Sequence, residues 1–185
     1  MRIFSLLILF FAPILSGAIE PKKMDALVSD FCKTEGKHDN LDAYHPEVEL
    51  TIDEKIEFAM KALDKLLDNP QKPSLKWSFK RTKLDIFLDG VDPVRFPLKY
   101  VPILFRSLKI GSLILTGDVI TIDLLDRIVG NNPGYTMQYL EGNNFSNAER
   151  LALIEKWEEI FKQNKEHILK KRYYKNKYFG KKVAN

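Results

Sequence analysis

At 185 residues and 45% hydrophobic composition, the chain has enough apolar material for one domain with its own core, which excludes wholesale disorder and leaves little room for a second domain. Lysine and arginine number 29 against 25 aspartates and glutamates, but seven of those cations lie in the last sixteen residues, which hold no acid, so the body of the chain is net acidic. Nucleic-acid-binding folds spread their cations over a folded face, so nucleic acid is not an expected partner; and a lone cysteine, Cys32, excludes an internal disulfide framework.

In chain order, Arg2 precedes an apolar run from Ile3 to Leu15, and the small residues Ser16, Gly17 and Ala18 follow. A positive start, a short greasy core and a small-x-small site predict a secretory signal peptide over 1–18, cut between Ala18 and Ile19. The core has about 13 apolar or near-apolar positions and includes Pro13, short of the about 20 residues that span a bilayer. No transmembrane segment is therefore expected, and the product is placed outside the cell or in the secretory lumen. Residues 19–172 read as a single globular domain and 173–185 as a basic, aromatic tail.

Met24, Leu27, Val28 and Phe31 fall at i, i+3, i+4 and i+7, one face of a first helix. Cys32 beside them is expected as a small buried hydrophobe, or, because an odd cysteine in a secreted protein invites pairing, as an intermolecular thiol linking a homodimer. Residues 33–50 are polar, broken by Gly36 and Pro46, and read as a loop. Thr51 and Glu54 then have capping-box spacing, and Ile56, Ala59, Met60, Leu63, Leu66 and Leu67 make the apolar stripe of a second helix that stops at Asn69-Pro70.

From Ser74 the period changes. Leu75, Trp77 and Phe79 alternate with polar residues, as do Leu84, Ile86 and Leu88, which predicts strands. Three apolar runs end in Leu-x-Gly (Leu88-Asp89-Gly90, Leu115-Thr116-Gly117 and Leu140-Glu141-Gly142), each followed by helical spacing, with the glycines 27 and 25 residues apart. That pattern resembles irregular leucine-rich-repeat-like strand–helix units, such as those of nematode F-box-associated domains, although no F-box precedes it. The resemblance implies a mixed α/β fold: N-terminal helices, then strand–helix repeats stacked on a small parallel sheet, then a long C-terminal helix. An α+β fold with an antiparallel sheet is the alternative. The resemblance carries over no functional residue. The last helix begins at a second capping box, Ser146 with Glu149, and buries Leu153, Trp157, Ile160, Phe161 and Ile168, extended by Leu151 and Ile154.

Among candidate sites, Asn144-Phe145-Ser146 is a sequon, making Asn144 a glycan acceptor in a secreted chain. His38 and His45 lie in an acidic loop and are weak zinc candidates with no recognised spacing. The tail cations Lys170, Lys171, Arg172, Lys175, Lys177, Lys181 and Lys182, interleaved with Tyr and Phe, suit an acidic glycan or an anionic membrane surface, with an unknown protein as the other expected partner. The chain has no Gly-x-Ser-x-Gly, His-Glu-x-x-His, P-loop or dinucleotide-glycine motif, so neither catalysis nor a cofactor is expected. The function that follows is a secreted, non-catalytic binding protein, acting through an exposed sheet face or through the tail. A small secreted enzyme is one alternative. The other is a precursor of an amidated peptide, 173–179, framed by basic residues and Gly180.

Overall fold

The computed structural model describes residues 19–33, 50–68, 83–84, 87–110, 115–135 and 146–179, giving backbone alone for 115–118 and 173–179. Five helices account for most of it: α1 Pro21–Lys33, α2 Ile52–Leu67, α3 Val101–Ile110, α4 Leu115–Val129 and α5 Asn147–Phe179, with a single 3-10 turn, Leu98–Tyr100, leading into α3. No strand occurs among the described residues. The fold is therefore helical, and neither the mixed α/β sheet nor the antiparallel alternative is correct.

The physical reason is legible at two of the three repeat positions. Leu84 and Leu88 are fully buried from short helical turns at 83–84 and 87–88. Residues i and i+4 share a helix face as readily as i and i+2 share a strand face, so this pair satisfied both periods. Leu115-Thr116-Gly117, read as a strand end and turn, instead opens α4. A helix tolerates such a glycine at a cost of about 1 kcal/mol. Without strands there, the leucine-rich-repeat-like stacking has no basis. The third run, Leu140–Gly142, and the strand expected over 75–79 lie outside the described residues.

α2 forms as its sequence dictates. Thr51 Oγ1 accepts from the Glu54 amide at 3.3 Å while Glu54 Oε2 accepts from the Thr51 amide at 2.8 Å, closing the capping box. All six stripe residues are buried, joined by Phe58 and Ala62. α1 lays Met24, Val28 and Phe31 against α2, and the Phe31 ring meets Phe58 edge-on at 5.5 Å. Phe87 approaches the same Phe58 ring at 5.7 Å.

α3 is the hub. It packs against α2, α4 and α5, and Val101, Leu104, Phe105 and Leu108 are fully buried. Phe105 meets Trp157 of α5 edge-on at 5.7 Å and Phe161 at 6.2 Å. Such aromatic pairs contribute about 0.5–1.5 kcal/mol beyond area burial. Ser107, also fully buried, donates its hydroxyl hydrogen to the Leu104 carbonyl at 2.7 Å. The C-terminus of α3 is capped in trans: Arg150, in the first turn of α5, donates to the carbonyls of Leu108 and Lys109 and is braced by Asn147. Charged clasps span the helix seams, Lys61–Asp25 joining α2 to α1, Arg106–Asp64 joining α3 to α2, and Lys109–Glu158 joining α3 to α5.

The fully buried Trp157 needs a partner for its indole N–H, and the Gly130 carbonyl accepts it at 3.1 Å. Gly130 sits at φ +65, just past the end of α4, and Asn131 follows at φ 48. The reversal is sealed by Asn132, whose side-chain oxygen accepts from the Gly134 and Tyr135 amides at 3.0 and 2.7 Å. α5 starts at its expected box, with the Ser146 hydroxyl accepting from the Glu149 amide at 3.2 Å and Glu149 Oε2 from the Ser146 amide at 2.9 Å.

Two measurements check this packing. A Cβ at Gly130 would meet no atom within 4 Å, so Gly130→Ala should cost only the left-handed backbone penalty, about 1–2 kcal/mol in urea unfolding. Glu158 receives Lys109 and Lys162; burial works to raise its pKa, but the two ammonium groups outweigh it and hold the carboxyl below the usual range. A carboxylate with a lowered folded pKa stabilises above its unfolded value of about 4.3 and loses that contribution as pH falls through the folded pKa. Glu158→Gln should therefore be less stable than the parent at pH 6, with the gap closing on acidification; a gap that persists at pH 3 contradicts this.

Candidate functional site

Of the two binding surfaces expected from sequence, the sheet face does not exist among the described residues, which leaves the basic end of α5. Here the helix does not stop where the domain was expected to end. Its backbone continues without a break through Arg172 to Phe179. Lys170 and Lys171 are exposed on it. Lys175 and Lys177 lie on the same helical backbone, while Lys181 and Lys182 lie outside the described residues.

Arg172 differs from its neighbours. Its guanidinium turns inward and donates to the Phe96 carbonyl at 2.6 Å, tying α5 to the turn that precedes α3. Burial pushes its pKa down, and the nearby Asp92 carboxylate opposes that. Asp92 is held in place because its side chain accepts from the Val94 amide at 2.9 Å. The second terminal nitrogen of Arg172 is buried with no hydrogen-bond partner among the described residues. Arg172 is thus half-buried and tied to the fold, whereas Lys170 and Lys171 are exposed.

Beside it, a cleft of about 340 Å³ opens between the end of α4, the 93–94 turn and α5. Arg127, Asn131, Asn164, His167, Lys171 and Arg172 itself line it, with Asp126 as the acidic residue. Arg127 is partly engaged by Asp123 at 3.3 Å, and the Asn164 amide nitrogen donates to the Ile160 carbonyl at 2.8 Å. The end of α4 directs backbone carbonyls toward the same region, which tempers its positive character. What the cleft offers is a mixed set of cations, amides and carbonyls, suited to a polar, acid-bearing ligand such as a sugar acid. Sequence reasoning missed His167, Asn164 and Arg127. The signal was present for two of them, since Asn164, His167 and Lys171 follow a 3-then-4 spacing that puts them on one helix face.

The other sequence candidates are placed as follows. Cys32 is half-buried in the seam between α1 and α2, packed on the core, with its thiol donating to the Ala62 carbonyl at 3.8 Å. Ile19 is half-buried and donates its amide to Glu54 at 2.6 Å. Ala18, His38, His45 and Asn144 lie outside the described residues, although Ser146 of the sequon does cap α5. Among the described residues no cluster of three or more His, Cys, Asp or Glu could hold a metal ion, and no helix is long and apolar enough to cross a membrane.

Comparison with protein-family models, curated proteins and solved structures finds no match to this chain.

The two adjacent cations should separate in unfolding experiments. Arg172→Ala loses a charged hydrogen bond to a buried carbonyl and should lower stability by about 1.5–3 kcal/mol. Lys171→Ala, on the exposed side, should change it by no more than about 0.5 kcal/mol. Equal small effects at both positions would remove the structural role assigned to Arg172.

Proposed function

We propose that the chain is a secreted, non-catalytic binding protein that holds an acidic glycan with the basic end of α5. The observation that carries this reading is the unbroken course of α5 from the core to Phe179, which sets Lys170, Lys171, Lys175 and Lys177 on one helix. Lys170 to Lys177 spans about 10 Å at 1.5 Å per residue, a reach comparable with a few sugar units. The adjacent cleft adds Arg127, His167 and two asparagine side chains, Asn131 and Asn164, groups that suit acidic substituents and hydroxyls together. Secretion, resting on the 1–18 leader, makes such glycans available and makes Asn144 an acceptor for the chain's own glycan. The continuous helix also weighs against release of 173–179 as a peptide, since processing peptidases cleave extended substrate and this segment would first have to unwind.

The test is salt elution from immobilised heparin, with anionic phospholipid vesicles as a second arm. The full chain should bind heparin and elute at lower salt when Lys170, Lys171, Lys175 and Lys177 are replaced by Gln, because exposed charges act over a Debye length of only about 8–10 Å. Elution unchanged by those substitutions removes α5 as the contact. Tight binding to vesicles with none to heparin reassigns the surface to lipid.

A further inference from the structure

The half-buried amide of Ile19 lies against a group that the expected leader cleavage would turn into its counter-ion. Ile19 N donates to Glu54 Oε1 at 2.6 Å, across 35 residues of sequence. The other oxygen of the same carboxylate is already committed to α2: Glu54 Oε2 accepts from the Thr51 amide at 2.8 Å and from the Thr51 hydroxyl at 2.7 Å. One carboxylate thus closes the capping box with one oxygen and reaches the chain entering α1 with the other. These hydrogen bonds, the one from Ile19 first, hold the Glu54 carboxyl below its ordinary range, so it is a ready anion at neutral pH.

We infer that cleavage of the Ala18–Ile19 bond arms a clamp, in which the newly formed ammonium of Ile19 ion-pairs with Glu54 and fastens α1 to the start of α2. The covalent step is hydrolysis by a signal peptidase. Water adds across the peptide bond, Ala18 leaves with the carboxylate, and the Ile19 nitrogen takes protons to become –NH3+. In the folded chain that nitrogen lies at hydrogen-bond distance from Oε1. The charge change matters locally. The first turn of α1 carries Lys22 and Lys23 and no acid, so a further positive charge at this helix start opposes its dipole unless an anion meets it. Glu54 supplies that anion from the neighbouring helix, with Glu20 adjacent in the chain. Apolar packing sets the alignment, since Ile19 rests against the same core as Met24 and Val28.

The clamp rests on the secretory reading, and the experiment separates the two. The full-length chain is expressed through a eukaryotic secretory pathway and the N-terminus of the secreted product is sequenced. Separately, chain 19–185 is prepared with a free Ile19 and, for comparison, with Gly-Ser preceding it, each in parent and Glu54→Gln form. Glutamine at that position still closes a capping box but cannot pair with an ammonium. The expected result is a secreted product beginning at Ile19, and a higher Tm for the free-Ile19 chain than for its extended form. That difference should disappear in Glu54→Gln. A product that starts at Ile19 with no Tm difference, or with one that survives Glu54→Gln, overturns the clamp and leaves secretion standing. A product with another N-terminus, or none secreted, overturns the processing step itself.

Discussion

Everything in this fold depends on burying α3. A helix of ten residues, Val101–Ile110, is too short to persist on its own, and five of its side chains are completely removed from solvent. It survives because three other helices close round it. The decisive contact is Phe105 edge-on against Trp157, with Phe161 behind. Once Trp157 is buried, its N–H must find an acceptor, and that need reaches across to the Gly130 carbonyl and the left-handed turn that ends α4. The C-terminal end of α3 is served from outside as well, by the Arg150 donors at its last carbonyls. Packing, turn geometry and capping are therefore consequences of a single requirement.

The sequence was most readable where one physical rule acted alone. The capping boxes at Thr51 and Ser146 and the α2 stripe each correspond to a local device seen in the fold. It misled where two rules fitted the same residues. Leu84 and Leu88 satisfy a strand period and a helix period, and tertiary burial in a helical core selected the second. The Leu-x-Gly spacing drew on glycine as a turn former, while Gly117 lies within α4, where neighbouring helices outweigh propensity. Trans interactions such as Arg150 on α3 or Arg172 on Phe96 join residues 41 or more apart and leave no local pattern to read.

The same distinction applies to the site. Charge counting found the basic end of the chain but could not sort its members. Of three consecutive cations, Lys170 and Lys171 face solvent while Arg172 turns inward to hold α5 against the turn before α3. Anchoring one arginine keeps its neighbours at a defined angle beside the cleft, so the fold and the proposed binding surface share a residue boundary. At the other end, Glu54 joins a helix start to an incoming chain. Ile19 and α5 are thus each tied to the fold by one ionisable side chain, Glu54 and Arg172 respectively.

The most direct test of α3 as the organising element is native-state hydrogen exchange resolved by residue. The amides of Leu104, Phe105 and Leu108 should be among the slowest in the chain and should exchange only through global unfolding, with the same free energy as the Trp157 turn of α5. Exchange of α3 at a markedly lower free energy than α2 or α5 would mean that those helices hold together without it, and would contradict the account.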